Sequence, residues 1–185
     1  MSKSRVESLT DAILAIIMTI MALEIHTPEA ATWAAFSKGF IPVFAFFVSF
    51  FALTNLWMAH HLFLKNVTKI PYRSVMWNMA LLFWVTLMPV ATNWVADYPT
   101  RPLPERFFIL VQLGWYVLLA MFSRSVRRQD PEAGSDSQVS TWVINLLYVG
   151  FFIYPLPYSA LVVGLVRMAW SPIVWLRMES KGRLN

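Results

Sequence analysis

The chain has 185 residues, of which 58% are hydrophobic and 14% charged, against ~45–50% and ~25% in ordinary soluble domains. With a mean hydropathy of +0.56, 9 Trp and 14 Phe, it carries more apolar surface than one aqueous core of this size can hide, so the excess faces lipid. Zero Cys and three His exclude disulfides, thiolate zinc centres and iron–sulfur clusters and leave little for any metal site, and the net charge of +5 reads as loop charge of a membrane protein rather than as a nucleic-acid surface.

A hydrocarbon core of ~30 Å needs ~20 mostly apolar residues in a helix. Val6 to Ile25 is the first such stretch, with Glu7, Asp11 and Glu24 as its ionisable members. Lys3 and Arg5 ahead of it imitate a signal peptide, but no small-residue cleavage site follows, so it reads as a retained helix. Gly39 to Leu64 has no Asp, Glu, Lys or Arg and forms the second span; Ser74–Ala96 and Phe107–Ser123 form the third and fourth. Gln129–Gln138 is a short polar loop. The next charge-free run is interrupted by Pro155-Leu-Pro157, and prolines cannot sit in a helix interior without losing an N–H bond and clashing with the preceding turn. It therefore divides into a fifth span at Val139–Tyr154 and a sixth at Tyr158–Leu176.

Charge supports six spans with both termini cytoplasmic. Eleven loop cations then fall inside and three outside, with Arg167 within the sixth span, a strong positive-inside bias. The expected architecture is a single all-α integral membrane domain over residues 1–185, without internal repeats.

Ionisable groups inside a span are costly and mark function. At about 100° per residue, Arg5, Leu9, Ala12, Ile16, Thr19, Ile20 and Leu23 fall within an arc of about 100°. This is a stripe of branched aliphatics with one hydroxyl. Glu7 and Asp11 lie roughly opposite, towards neighbouring helices. Asp11 there needs a buried partner, for which His60, His61 and Asn78 are the intramembrane candidates; a packing network is the preferred role and a proton-sensitive gate the functional alternative. The two histidines, about 100° apart on a helix, do not form a metal site. Arg167 is left to pair with an acid such as Glu7 or with a lipid phosphate. Tyr148-Val-Gly150-Phe151 echoes a potassium-channel filter but has no preceding Thr or pore helix, and reads as coincidence.

The stretch Arg5-Val-Glu-Ser-Leu9-Thr10-Asp11, continuing through Ala12-Ile-Leu-Ala-Ile-Ile to Leu23-Glu24-Ile25, resembles the Arg-x-x-x-Phe-Ser-Asp opening of the first helix in the transmembrane-protein-175 family of potassium channels. Trp57-Met-Ala-His60-His61 resembles the family's second-helix motif, and Asn78 with Leu81, Leu82, Pro89 and Thr92 its third helix. Leu9 and Thr10 depart from the family's Phe and Ser, keeping apolar bulk and a hydroxyl. The resemblance implies a homotetramer in a prokaryotic cell membrane, with the first helix of each subunit lining a central pore. It implies a hydrophobic constriction at Ile16, with Ile20 and Leu23 one and two turns outward and Thr19 as a hydroxyl layer. It implies potassium as the permeant ion, no other cofactor, and no enzymatic reaction. Absence of phosphate loops, zinc motifs and nucleotide fingerprints agrees with a non-enzyme. The alternatives from composition are a secondary transporter, which ordinarily shows inverted repeats, and a proton-conducting membrane protein.

Overall fold

The structure, a computed structural model, describes residues 2–65, 67, 69–129 and 138–180, with side chains described outside 138–144 and 172–180. It is all-helical among these residues: α1 Lys3–Leu23, α2 Trp33–Lys38, α3 Phe40–Leu64, α4 Tyr72–Val85, α5 Met88–Asp97, α6 Pro102–Arg127, α7 Gln138–Ile153 and α8 Ser159–Ser180. Four stretches, α1, α3, α4 with α5, and α6, are long and apolar enough to cross a membrane among the described residues. The chain is thus a multi-pass membrane protein.

The helix ends follow local chemistry. Pro102 and Pro104 open α6, where a missing N–H costs nothing because the first turn has no intrahelical acceptor. Thr32 caps α2 by accepting from the Ala35 N–H at 3.2 Å. Pro155 and Pro157 separate α7 from α8, and the turn ends at Tyr158 in the left-handed region, φ 64°. The third expected span is broken rather than continuous: α4 stops at Val85 and α5 begins at Met88. Pro89 explains the break, since it cannot donate to the Val85 carbonyl one turn earlier. The gap closes with tighter bonds, Leu87 N–H to the Trp84 carbonyl at 3.2 Å and Thr86 N–H to the Phe83 carbonyl at 3.2 Å. The fourth expected span is too short, because α6 reaches Arg127. The short α2, none of whose residues is buried, is absent from the expectation altogether. The expected loop at 129–138 lies mostly outside the described residues. At 16 residues, α7 rises about 24 Å, less than a full hydrocarbon core.

A main core joins α1, α3, α4, α5, α6, α7 and α8 through residues such as Leu14, Ile17, Leu53, Leu81, Trp115 and Leu161. Close helix approach is set by two glycines. A Cβ at Gly114 would overlap the Trp84 indole, which lies across α6 and donates to the Val111 carbonyl at 2.9 Å. A Cβ at Gly164 would overlap Val48, so α8 lies tight on α3. Small residues serve this role between helices that have no hydrophobic drive to associate in lipid. A second, smaller cluster of Val6, Leu64, Val67, Ile70, Val75, Phe122 and Val126 ties the start of α1 to the α3–α4 connection and the end of α6.

Candidate functional site

Helix α1 is covered on one side only. Val6, Thr10, Leu14, Ile17 and Met21 are buried, following the 3- and 4-residue spacing of a helix face, against α3, α4 and α5. The opposite side is bare. Ile16 is 56% exposed, Ile20 42% and Leu23 84%, and Ala12 and Thr19 are exposed between them, with Leu9 half-buried at the edge. Thr19 donates its hydroxyl proton to the Ile16 carbonyl at 2.8 Å. Its oxygen lone pairs therefore remain available outward, and the side chain presents an acceptor rather than a donor.

Behind α1 runs a directional polar relay. Thr10 donates to the Val6 carbonyl at 2.9 Å and accepts from Asn78 Nδ2 at 3.2 Å; Asn78 Oδ1 faces His60 Nε2 at 2.9 Å. With the Asn78 amide nitrogen committed to Thr10, its oxygen must accept, so His60 carries a proton on Nε2. All three side chains are buried, and the His60 ring stacks on Phe122 at 5.3 Å. One chain of donors thus links α1, α3, α4 and, through Phe122, α6.

Asp11 is outside this relay, contrary to expectation. Its side chain is exposed and accepts from Trp57 Nε1 at 2.8 Å. It is Thr10, its neighbour in sequence, that reaches Asn78. The reason is helical phase: Thr10 sits at the centre of the buried side formed by Val6, Thr10, Leu14, Ile17 and Met21, and the next residue, turned about 100° further, falls at its edge. His60 and His61 also part company. His60 is buried, whereas His61 is exposed and stacks on Trp57 at 5.7 Å. Trp57, one turn before both, bridges Asp11 and His61. Arg5 is exposed, and Glu7 lies 3.8 Å from Lys3.

Arg167 does not pair with Glu7. Its guanidinium lies 3.7 Å from the centre of the Tyr116 ring and donates to Asn145 Oδ1 at 3.2 Å. Tyr148, of the filter-like tetrapeptide, is a buried residue of α7 whose hydroxyl donates to Gln112 Oε1 at 2.6 Å, so the tetrapeptide is helical and has no free carbonyl ring.

Several polar contacts near the other end of α1 have no counterpart in the sequence reading. Thr92 and Ser49 share a hydrogen bond at 2.8 Å beside Met21, and Asn93 donates to the Glu24 carboxylate at the C-terminal cap of α1. The adjacent Thr92-Asn93 pair inside an apolar run was the available signal. Arg106 donates to the Phe152 and Ile153 carbonyls, capping the end of α7.

Residues 5–89, which hold α1, the relay and the Asp11–Trp57 pair, match the family model described as endosomal/lysosomal potassium channel TMEM175. A potassium channel of Chryseobacterium sp. (strain P1-3) is 41% identical over 96 residues, covering 51% of this chain and 50% of that protein. One of Chamaesiphon minutus is 30% identical over 123 residues, covering 63% and 60%. The chain thus spans about half the length of the curated relatives it matches. The rat endosomal/lysosomal proton channel TMEM175 is 28% identical over 107 residues, covering 55% of this chain and 21% of the rat protein. In three dimensions the fold matches the crystal structure of a lysosomal potassium-selective channel TMEM175 homolog from Chamaesiphon minutus, with a TM-score of 0.80 at 20% identity over 92% of this chain and 96% of that one. The likeness in fold covers 92% of the chain, while the likeness in sequence to the TMEM175 family model concentrates on its first helices.

Proposed function

We propose that this chain is the subunit of a potassium-permeable channel, in which four copies bring their α1 helices together around a central conduit. The observation that carries the reading is the bare stripe of Ile16, Ile20 and Leu23 on a helix whose other side is packed on α3, α4 and α5. One such stripe cannot enclose a path, and closed cyclic symmetry is the usual way to complete one. The bacterial relatives that carry the same first helices, named as potassium channels, support potassium as the permeant ion.

In this arrangement Ile16 forms the hydrophobic constriction, Ile20 and Leu23 continue the wall outward, and Thr19 adds a ring of acceptor oxygens. Four branched side chains close the path by excluding water, and small rotations reopen it. Potassium surrenders water more readily than sodium, so partial dehydration at the ring favours it. Arg5, Leu9, Thr10 and Asp11, with Trp57, His60, His61 and Asn78, hold α1 at its angle rather than contacting the ion. The subunit is one domain with six crossings, α7 and α8 supplying the last two. Both termini lie in the cytoplasm, and the assembly sits in the cell membrane of a prokaryote. No cofactor besides the permeant ion is required, and no enzymatic reaction is involved.

The test is potassium efflux from proteoliposomes of purified protein. Discrete conductance with a tetrameric particle supports the proposal; saturable, coupled exchange overturns it in favour of a transporter. Proton permeation is a second reading, favoured by the rodent relatives, which are named as proton channels. A pH-sensitive dye in the same vesicles reads it.

A further inference from the structure

Cations from separate parts of the chain converge on one end of the helical bundle. Ser2 bridges to Lys69 through its backbone, and Lys3 Nζ donates to the Lys65 carbonyl at 2.9 Å. The start of α1 is thereby fixed against the α3–α4 connection. On the other flank, Ser74 donates to Ser125 at 2.8 Å, which sets α4 beside α6 at the residues that follow Arg73 and Arg124. Arg127 lies over the Phe63 ring at 5.7 Å. Beneath all of these is the small apolar cluster of Val6, Leu64, Val75 and Phe122. The cationic stems therefore leave from a rigid, packed floor.

Arg73, Arg124, Lys69 and Arg128 are exposed on this rim. The acids at the same end are occupied or few among the described residues: Glu7 lies by Lys3, and Asp11 accepts from Trp57. Among the residues with described side chains, eight cations and two acids belong to this end, against three cations and four acids at the other. Arg73 is the second residue of α4, and Arg124 lies in the last turn of α6, so both sit where spanning helices leave the hydrocarbon. Long cationic side chains at that depth reach the headgroup layer.

We propose that this basic end binds the headgroup phosphates of anionic glycerophospholipids, with Arg73 and Arg124 as a two-sided clamp and Lys69 beside it. Guanidinium groups bind phosphate oxygens in pairs, which a solvated lysine does not do. The clamp residues are held one position away from the Ser74–Ser125 hydrogen bond, so little ordering is needed when a lipid arrives. A lipid rather than a soluble phosphate is favoured because the rim encircles apolar spans whose sides face acyl chains. The leaflet, cytoplasmic, rests on the orientation proposed above; lipid binding itself does not rest on ion conduction.

The experiment is native mass spectrometry of the full chain after exchange into equal amounts of phosphatidylglycerol and phosphatidylcholine. Wild type is expected to retain phosphatidylglycerol several-fold over phosphatidylcholine. The pair Arg73→Gln and Arg124→Gln is expected to lose most of that preference, and Arg124→Gln alone about half of it. Arg101→Gln, on the opposite end, is expected to keep it. Millimolar inorganic phosphate is expected to leave the bound lipid in place. Equal retention of both lipids by wild type, an unchanged preference in the paired variant, or displacement by inorganic phosphate overturns the proposal. None of these readings involves ion flux, so the result stands apart from that of the channel test.

Discussion

Glu105 on α6 accepts the backbone N–H of Ala160, the second residue of α8, at 2.6 Å, and the Ser159 hydroxyl at 3.0 Å, through the same carboxylate oxygen. The first N–H groups of a helix have no partner within it, and a carboxylate placed there also meets the positive end of the helix dipole. α8 starts directly after the Pro155-Leu-Pro157 break and Tyr158, whose N–H donates to the Pro99 carbonyl at 3.0 Å. Glu105 thus holds the two helices together at the point where the chain reverses.

Glu105→Ala is expected to lower stability by about 1–3 kcal/mol, because it strips buried donors of their acceptor. Glu105→Gln keeps a carbonyl oxygen for Ala160 and is expected to lose less than half as much. Thermal unfolding of the detergent-solubilised protein measures both. Equal midpoints for Glu105→Ala and wild type would show that water replaces the carboxylate without cost.

The relay behind α1 yields a contrast between adjacent residues. Thr10→Val removes the acceptor for Asn78 while preserving shape, and leaves a buried amide unpaired, at about 1–3 kcal/mol. Asp11→Asn retains an oxygen for the Trp57 indole at an exposed position and is expected to cost well under 1 kcal/mol. The check is the yield of folded, assembled protein on size-exclusion chromatography. A greater loss for Asp11→Asn than for Thr10→Val would mean that the Asp11 carboxylate has a charged partner outside the single subunit.

The Gly114–Trp84 contact is tested by a pair of substitutions. Gly114→Ala places a methyl group inside the indole and is expected to cost about 1–3 kcal/mol by overpacking. Trp84→Phe gives up the hydrogen bond to the Val111 carbonyl but makes room. The double variant is expected to be less destabilised than the sum of the two singles, a coupling that contacting residues show and distant ones do not. Strict additivity in thermal unfolding would place the two side chains out of contact.

Much of the architecture was legible because hydropathy and proline report directly on it. Charge-free runs located the four stretches long enough to span, and Pro155 with Pro157 marked the α7–α8 boundary for a steric reason. Pro89 carries the same signal for the α4–α5 break, inside the long apolar run Ser74–Ala96. The relay was half legible. His60 and Asn78 stood out as polar groups inside spans, yet which residue of α1 met them depended on the rotation of that helix, and a wheel does not say how wide its packed face is. A one-residue change of phase exchanges Thr10 for Asp11. The Trp57 indole, a donor on the same face as His61 at i+4, was the clue to the partner of Asp11. The pairing of Arg167 with Tyr116 and Asn145 joins α8 to α6 and α7, and no local pattern could have indicated it.

The last prediction concerns the bare stripe. If Ile16 closes the conduit, its barrier arises from stripping water from an ion between four branched side chains. Ile16→Asn then wets the ring, raises potassium flux and weakens discrimination against sodium. Ile16 contributes to the exposed face and not to the core, so the change leaves the packing of the subunit intact. Leu118→Asn on α6 serves as the comparison: Leu118 packs against the main core, and its replacement is expected to lower the yield of folded protein without altering the ratio of potassium to sodium flux. Thr19→Val has a third signature. It removes the outward acceptor oxygen and the bond to the Ile16 carbonyl while keeping the volume of the side chain, so selectivity is expected to fall more than conductance. Paired potassium and sodium fluxes in liposomes separate the three. Unchanged flux in a folded, tetrameric Ile16→Asn protein would move the conduit away from α1, to a path that the exposed faces of the other helices would have to supply.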